Sequence, residues 1–188
     1  TNWSRALSAP TTLPTVGCVG MTEPVLDIDV NIEAVGWSKM ILDLEKTIDE
    51  AAGAAVAAAG YTGRNPELSV LLADDRRLAE LNENWRGKAG PTNVLSFPGD
   101  VEGPGPAMLG DIALALETLM AEAAVAGISV SAHFNHLVVH GVLHLLGFDH
   151  ETDREAAEME SLETKILGEL GIADPYAAGQ PKCSGVVS

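Results

Sequence analysis

The stretch HGVLHLLGFDH, residues 140–150, combines a histidine-containing helix pattern with a turn signal. His140 and His144 are four residues apart, so in a helix they lie on the same face, about one turn from each other. Gly147 predicts the end of that helix, because glycine takes the left-handed backbone conformation without a side-chain penalty. A turn at this glycine can bring His150 back toward the helix. The stretch therefore predicts three imidazoles converging on one point.

Three imidazoles without a fourth protein ligand are typical of a catalytic metal site, since structural zinc sites are normally closed by four ligands. The alternative is a set of core histidines bonded to backbone carbonyls. The other residues of this helix are apolar on all sides, which indicates a buried helix. Several buried histidines are costly unless they share partners or a metal. We therefore predict that His140, His144 and His150 bind one Zn²⁺ ion per chain, although imidazole also suits nickel, copper and iron.

Three polar residues lie beside these ligands in the sequence. His136, one turn before His140, is either a core histidine satisfied by hydrogen bonds or a contact to a metal ligand or substrate. Asp149 either orients a ligand imidazole or caps the turn. His133, at the start of the helix, is expected at the surface.

The spacing H-x-x-x-H-x-x-G-x-x-H is also that of the metzincin proteases. Those enzymes need a glutamate directly after the first histidine as general base, whereas this chain has Gly141, which has no side chain to accept a proton. A bound zinc ion can still activate water by itself, because it lowers the pKa of that water to about 7. Metal-dependent hydrolysis therefore stays open, but peptide hydrolysis by the zincin route is disfavoured.

Strand patterns dominate the first part of the chain and helix patterns the last part, which predicts an α+β fold. We expect a single domain in which a small mixed β-sheet is packed by about five helices, with a zincin-like helix carrying the metal ligands. In the second helix Leu78, Leu81 and Trp85 are the expected buried positions, and Ser131 is the expected N-cap of the metal-bearing helix. The predicted strands are 25–32, 69–73, 92–97 and 109–115, and the predicted helices are 38–59, 75–85, 117–126, 131–146 and 152–170.

The charge of the chain restricts its partners. A formal net charge of −16 argues against a general nucleic-acid coat, because nonspecific binding depends on lysine and arginine neutralising phosphates. The last helix is strongly acidic, and its acidic residues, Glu163 among them, are expected to form a solvated face or to meet a basic partner. No apolar run reaches the 18 or so residues that a membrane helix needs.

The two cysteines, Cys18 and Cys183, form no CxxC pair. Their positions exclude a cysteine zinc site and fit a reducing cytoplasm. Residues 1–20 are rich in Thr, Pro, Gly and Ser without periodicity, so they are expected to be disordered or an extension upstream of Met21. The folded domain is predicted over residues 21–176, with a flexible tail at 177–188.

A loop at residues 86–91 (RGKAGP) contains Arg86 and Lys88 with no acid between them. Arginine suits a phosphate, because its planar fork donates two hydrogen bonds at once. A metal and an arginine together would stabilise a phosphoryl transition state. From spacing alone, a solvated loop arginine explains Arg86 equally well.

Two stretches resemble those of the YbeY family of bacterial metal-dependent endoribonucleases: LNENWRGKAGPTNVLSFPGD at 81–100 and HFNHLVVHGVLHLLGFDHETDREAAEMESLE at 133–163. The similarity covers roughly residues 21–176, and the block H-G-x-L-H-L-x-G-x-D-H is highly specific. Phe148 stands where the family commonly has tyrosine. The segment before Met21 has no counterpart in the family.

The resemblance implies a catalytic zinc bound by His140, His144 and His150, with Arg86 matching the family's functional arginine. It implies cleavage of single-stranded RNA in the 3′ maturation of small-subunit ribosomal RNA and in ribosome quality control. The implied partners are ribosomal particles, a small-subunit ribosomal protein and an assembly GTPase, with no membrane. In this interpretation Arg86 and Lys88 contact the substrate, while His136 and Asp149 support the ligands.

Two alternatives remain open at this point. One is a zinc metallopeptidase of the zincin type, against which Gly141 speaks. The other is a non-catalytic ribosome-assembly factor with a structural metal, which a fourth protein ligand would favour.

Overall fold

A computed structural model describes residues 26–63, 65–99 and 107–177. Within these residues, four strands and six helices form an α+β domain. The strand order in the sheet is β1-β2-β4-β3; β1, β2 and β4 are parallel and the edge strand β3 is antiparallel, which confirms the predicted mixed sheet. The elements are β1 Asp27–Ile32, α1 Trp37–Met40, α2 Leu44–Ala58, β2 Pro66–Ala73, α3 Asp75–Arg86, β3 Val94–Pro98, β4 Ala107–Ala115, α4 Leu116–Ala126, α5 Val130–Leu145 and α6 Asp153–Glu169.

Two hydrophobic cores lie on opposite faces of the sheet. Successive residues of a strand point to opposite faces. In β4, Ile112 and Leu114 belong to the large core, which also contains residues of α2, α5 and α6. The intervening Ala113 belongs to the small core, to which α3 contributes Leu78. Helices therefore pack on both faces of the sheet, with α3 and α5 on opposite sides.

Helix α5 runs through the large core, and all its residues from 133 to 145 are buried. The helix lies very close to the sheet at Gly141, where an added Cβ would be 3.1 Å from Ile112 Cγ2 and 3.3 Å from Ser96 Oγ. The hydroxyl of Ser96 also donates a hydrogen bond to the carbonyl of Gly141 at 3.3 Å. Strands β3 and β4 therefore fix the depth of the helix next to His140.

Several predicted helix boundaries are confirmed. The side chain of Asp74 caps α3 by accepting a hydrogen bond from the backbone N–H of Arg77 at 2.8 Å. Thr152 and Glu155 form a capping box at the start of α6, where the helix over 152–170 was predicted to begin. Gly127, with φ 68°, ends α4.

The prediction of one helix over 38–59 is wrong, because α1 ends at Met40 and α2 begins at Leu44. Asp43 between them has φ 47°, in the left-handed region. Tertiary contacts explain the break: the indole N–H of buried Trp37 donates to the carbonyl of Ala73 at 3.0 Å, which ties α1 to the end of β2. Helix α2 instead packs against α5.

Two further expectations are corrected by the fold. Ser129, not Ser131, caps α5 by accepting from the N–H of Ala132 at 3.1 Å, since the turn at Gly127 is already complete there. Trp85 is 69% exposed rather than buried, because α3 covers only part of its face of the sheet. Its ring meets Phe97 edge-on, with the centroids 5.9 Å apart.

None of the described helices has both the length and the apolar character needed to cross a membrane. The predicted extension at 1–20 and the tail beyond residue 177 lie outside the described residues.

Replacing Trp37 by phenylalanine tests the tie between α1 and the sheet. The substitution keeps an aromatic ring but leaves the carbonyl of Ala73 without its buried donor. We expect the free energy of unfolding to fall by about 1–3 kcal/mol. Urea unfolding followed by circular dichroism measures this difference.

The matched control is Trp85→Phe, since this ring is mostly exposed. We expect a change within about 0.5 kcal/mol. Equal losses for the two tryptophan variants would contradict the role given to the Trp37 hydrogen bond.

Candidate metal centre

The fold brings three histidines together at the end of α5. His140 and His144 are on the last turns of the helix, and His150 returns in the loop that follows Gly147, which has φ 89°. The potential ligand atoms of the three side chains all lie within 4.8 Å of one another. The ring centroid of His150 is 5.6 Å from that of His140 and 5.0 Å from that of His144. The glycine turn thus produces the convergence that the spacing predicts.

Hydrogen bonds orient the two helical imidazoles. The Nδ1 of His144 donates to the backbone carbonyl of Phe148 at 2.9 Å, because a carbonyl can only accept. The Nδ1 of His140 lies 2.7 Å from Oε1 of Glu163. The two Nε2 atoms face each other at 3.0 Å. When both rings are neutral with their protons on Nδ1, two lone pairs meet at this distance, and such an arrangement requires a cation or a proton between them.

The protein keeps His144 neutral. Burial, together with the nearby His140, lowers the pKa of His144 from its ordinary 6.5 to about 4. A neutral imidazole is the form that binds a metal. Phe148 contributes its backbone carbonyl to this arrangement, so the contact with His144 does not depend on the side chain at position 148.

Glu163 is the central acid beside the site, and its side chain is fully buried. It contacts His140 and, through Oε2, lies 3.3 Å from Nε2 of His136. The hydroxyl of Tyr176 donates to the same Oε2 and lies 3.2 Å from Nε2 of His136. Burial would raise the pKa of the Glu163 carboxyl, but hydrogen bonds with His136 and His140 hold it well below its ordinary value. Glu163 is therefore an ionised acceptor.

The expectation that Glu163 belongs to a solvated acidic face is wrong. The residue occupies the buried stripe of α6, between Met159 and Ile166. The sequence did contain a signal for the burial of Glu163: a single acidic residue stands among the apolar positions of α6, and such a group needs a buried partner. Tyr176 was also missed, because its contact depends on how the chain after α6 returns to the site.

His133 is buried rather than exposed as expected. Its Nε2 lies 2.7 Å from Oε2 of Glu122 on α4, and the amide of buried Asn93 donates to the same carboxylate. The contact with Glu122 holds the imidazole of His133 in a buried position. This tertiary contact outweighs the location near the start of the helix, which by itself predicts an exposed side chain. This cluster joins α4, α5 and the start of β3 one helix turn away from His136.

His136 and Asp149 are two further predicted site residues, and both make hydrogen bonds beside the three histidines. His136 is buried and bonded to Glu163 and Tyr176, as described above. Asp149 accepts a hydrogen bond from the backbone N–H of His150 at 2.7 Å, which fixes the turn after Gly147. His136, His140 and Glu163 form a second group whose ligand atoms lie within 4.8 Å of one another.

Arg86 is the last residue of α3, and Lys88 lies in the loop after it. Helix α3 packs on the other face of the sheet from α5. No hydrogen bond, ion pair or ring contact joins either side chain to the three histidines within the part of the chain that the structure describes. The loop itself is held in place, since Asn82 Nδ2 donates to the carbonyl of Gly90 at 2.9 Å. Arg86 is partly buried and Lys88 is exposed.

Comparison with known proteins assigns the family. A model of the family described as Endoribonuclease YbeY matches residues 31–171. Endoribonuclease YbeY of Paramagnetospirillum magneticum is 48% identical over 157 residues, with 80% of this chain and 96% of the relative covered. The protein of that name from Rhodospirillum rubrum is 50% identical, with 75% of this chain and 76% of the relative covered.

A third relative, Endoribonuclease YbeY of Azorhizobium caulinodans, is 47% identical and covers 81% of this chain and 97% of its own length. Among solved structures, the solution structure of TM1509 from Thermotoga maritima aligns with a TM-score of 0.49 at 22% identity, covering 82% of this chain and 99% of that one. Because the family model spans most of the sequence and the relatives are about half identical over three quarters of the chain or more, this chain belongs to the YbeY endoribonuclease family.

Proposed function

We propose that this chain is a zinc-dependent endoribonuclease, a hydrolase that cleaves single-stranded RNA. We further propose that it acts in the 3′ maturation of small-subunit ribosomal RNA and in ribosome quality control. The name that its relatives carry, Endoribonuclease YbeY, supports the activity on RNA. The metal, the ribosomal substrate and the residue roles are our own assignments.

The observation that carries the proposal is the pair of Nε2 atoms of His140 and His144, 3.0 Å apart, with both Nδ1 atoms bonded to oxygen acceptors. A third imidazole, that of His150, lies within reach of both. Nitrogen donors arranged in this way fit Zn²⁺, and three protein ligands leave room for substrate or water. A zinc ion bound here would supply Lewis acidity, which lowers the pKa of water and offsets the charge of a phosphate.

The protein residues then have separate tasks. His140, His144 and His150 bind the ion, and Asp149 holds the turn that carries His150. Arg86 binds a phosphate of the RNA through its planar fork, and Lys88 adds positive charge beside it. Because α3 and α5 pack on opposite faces of the sheet, we infer that the RNA contacts these basic side chains and the metal ligands at separate points along its length.

The net charge of −16 shapes how RNA is bound. A chain of this charge repels RNA except at local basic positions. We therefore propose that ribosomal particles, a small-subunit ribosomal protein and an assembly GTPase provide much of the affinity, in the cytoplasm.

The metallopeptidase alternative is disfavoured by the packing at Gly141. The Cβ position of this residue points at Ile112 and Ser96 in the sheet. A glutamate there would have to displace strand residues, so the position next to His140 offers no general base for peptide hydrolysis. A non-catalytic assembly factor with a structural metal is disfavoured as well, because the histidine group within the described residues has three members rather than four.

The substrate class is tested with purified protein and matched single-stranded and double-stranded RNA. We expect zinc-dependent cleavage of the single strand and little cleavage of the duplex, with a chelator-treated sample as the control. Casein should remain intact in the same buffers. Cleavage of casein with intact RNA would reverse the ranking of nuclease and peptidase.

The metal assignment is tested by His144→Ala. We expect loss of bound zinc and of RNA cleavage, because removing one of three ligands leaves too few donors to retain the ion. Metal content by atomic spectroscopy and a cleavage assay measure both effects.

The control for this variant is His133→Asn, which removes a histidine of the same helix that lies outside the ligand group. It should keep its zinc. Full RNA cleavage by a His144→Ala sample shown to be metal-free would refute the metal-centred mechanism.

The phosphate role is tested by Arg86→Ala. We expect unchanged zinc content and a fall in turnover of about 10²–10³, the usual cost of losing an electrostatic stabiliser. Arg76→Ala is the matched control, since Arg76 is a well-exposed arginine of the same helix that pairs with Glu80. An unchanged rate for Arg86→Ala would return this residue to a solvated loop arginine.

A further inference from the structure

Glu163 places a buried carboxylate beside the three histidines, and burial of a charge is energetically unfavourable. Its side chain is fully buried, in a helix stripe whose neighbouring members are Met159, Ile166 and Leu167. Removing a carboxylate from water costs several kcal/mol, and replacing buried charges by apolar residues is often neutral or stabilising. Fold stability alone therefore does not account for an acid at this position.

The two oxygens of Glu163 face different partners. Oε1 lies 2.7 Å from Nδ1 of His140, a charge-assisted hydrogen bond at its usual length. Oε2 accepts from the hydroxyl of Tyr176 and lies 3.3 Å from Nε2 of His136. With contacts at both ends, the carboxylate cannot rotate without breaking a hydrogen bond on one side.

The contact at Oε1 determines which nitrogen of His140 carries the proton. A neutral imidazole carries one N–H, and the carboxylate holds it on Nδ1. Nε2 is then the lone-pair atom, and this atom faces Nε2 of His144. A carboxylate on the far nitrogen also makes an imidazole more basic and fixes its ring orientation.

Tyr176 belongs to the segment after α6, and this segment is fastened to the helix. The carboxylate of Asp174 accepts from the backbone N–H of Tyr176 at 2.8 Å and from the hydroxyl of Thr164 at 3.2 Å. The ring of Tyr176 meets His136 edge-on, with the centroids 5.5 Å apart. The hydroxyl therefore reaches Glu163 from a held position.

We propose that Glu163 is a positioning residue of the metal centre, which holds His140 with its Nε2 toward the ion, and that Tyr176 fixes the Glu163 carboxylate from the C-terminal segment. The inference rests on the proposed function only in taking His140 as a metal ligand. It adds a buried acid on α6 and the segment 174–176 to the site.

A second metal held by His136, His140 and Glu163 is the competing explanation of the same group. Two ligands that bind one zinc at about 2.0–2.1 Å in tetrahedral geometry are roughly 3.3 Å apart. The 2.7 Å between His140 Nδ1 and Glu163 Oε1 is well below this distance and is a usual length for a charge-assisted hydrogen bond, whereas the 3.0 Å between the Nε2 atoms of His140 and His144 is close to it. The distance therefore favours positioning over direct ligation.

The test uses the full chain, its zinc-free form and Zn²⁺ as the probe. Glu163→Gln should weaken zinc binding by about 10–100-fold, measured by competition with a chelator of known affinity. Tyr176→Phe should give a smaller loss in the same direction. The matched control is Glu169→Gln, an exposed acid of the same helix, which should bind zinc like the unaltered protein.

A second readout separates positioning from a general structural role. In the zinc-free protein, imidazole nitrogen NMR should show the Nδ1–H form of His140 in the unaltered chain. A mixture of the two N–H forms is expected in Glu163→Gln, because an amide can accept or donate. Should that variant fail to fold, Tyr176→Phe decides, since its ring stays in place and only the hydroxyl is lost.

Unchanged zinc affinity with an unchanged His140 tautomer in the folded variants would overturn the proposal. Two zinc ions per chain, one of them lost in Glu163→Gln, would overturn it in favour of direct ligation. Zinc binding without RNA cleavage by the unaltered protein would refute the proposed function alone, because the affinity comparison does not depend on RNA.

Discussion

The close packing of α5 against strands β3 and β4 is the contact on which the rest of the structure depends. At Gly141 the helix backbone lies against Ile112 and Ser96, so close that even an added Cβ would press on these side chains. Residues 133–145 of this helix are buried, so its histidines are largely shielded from water. They must find partners inside the protein, and those partners decide which of their nitrogens carry the proton.

The partners come from two different segments around the end of α5, the loop after the helix and α6. The carbonyl of Phe148 binds His144, and the carboxylate of Glu163 binds His140. Both bonds use Nδ1, so both Nε2 atoms point into the same small space. A buried carboxylate contributes little to the stability of the fold. Its position is explained by the neighbouring imidazoles, which are suited to hold a cation. The same glycine that allows the close packing also removes the general base that a zincin peptidase needs.

Much of the site was predictable from short-range patterns. The spacing of His140 and His144, the turn at Gly147 and the capping box at Thr152 and Glu155 all follow from local geometry. Predictions failed where distant contacts compete with local preference. The helix expected over 38–59 breaks because Trp37 is tied to β2, and Trp85 is exposed because α3 does not cover the whole face of the sheet.

The sequence by itself determined the three-histidine group, the α+β class and the absence of a peptidase base, since each depends on residue type and on spacing within a few turns of chain. Only the tertiary structure decided that Glu163 contacts His140 and Tyr176, and that α3, the helix that ends at Arg86, packs on the other face of the sheet from α5. The physical reason is that hydrogen bonds between side chains far apart in sequence depend on how α6 and the segment after it pack on α5. The pattern of apolar and polar residues within a single helix or strand does not indicate that packing.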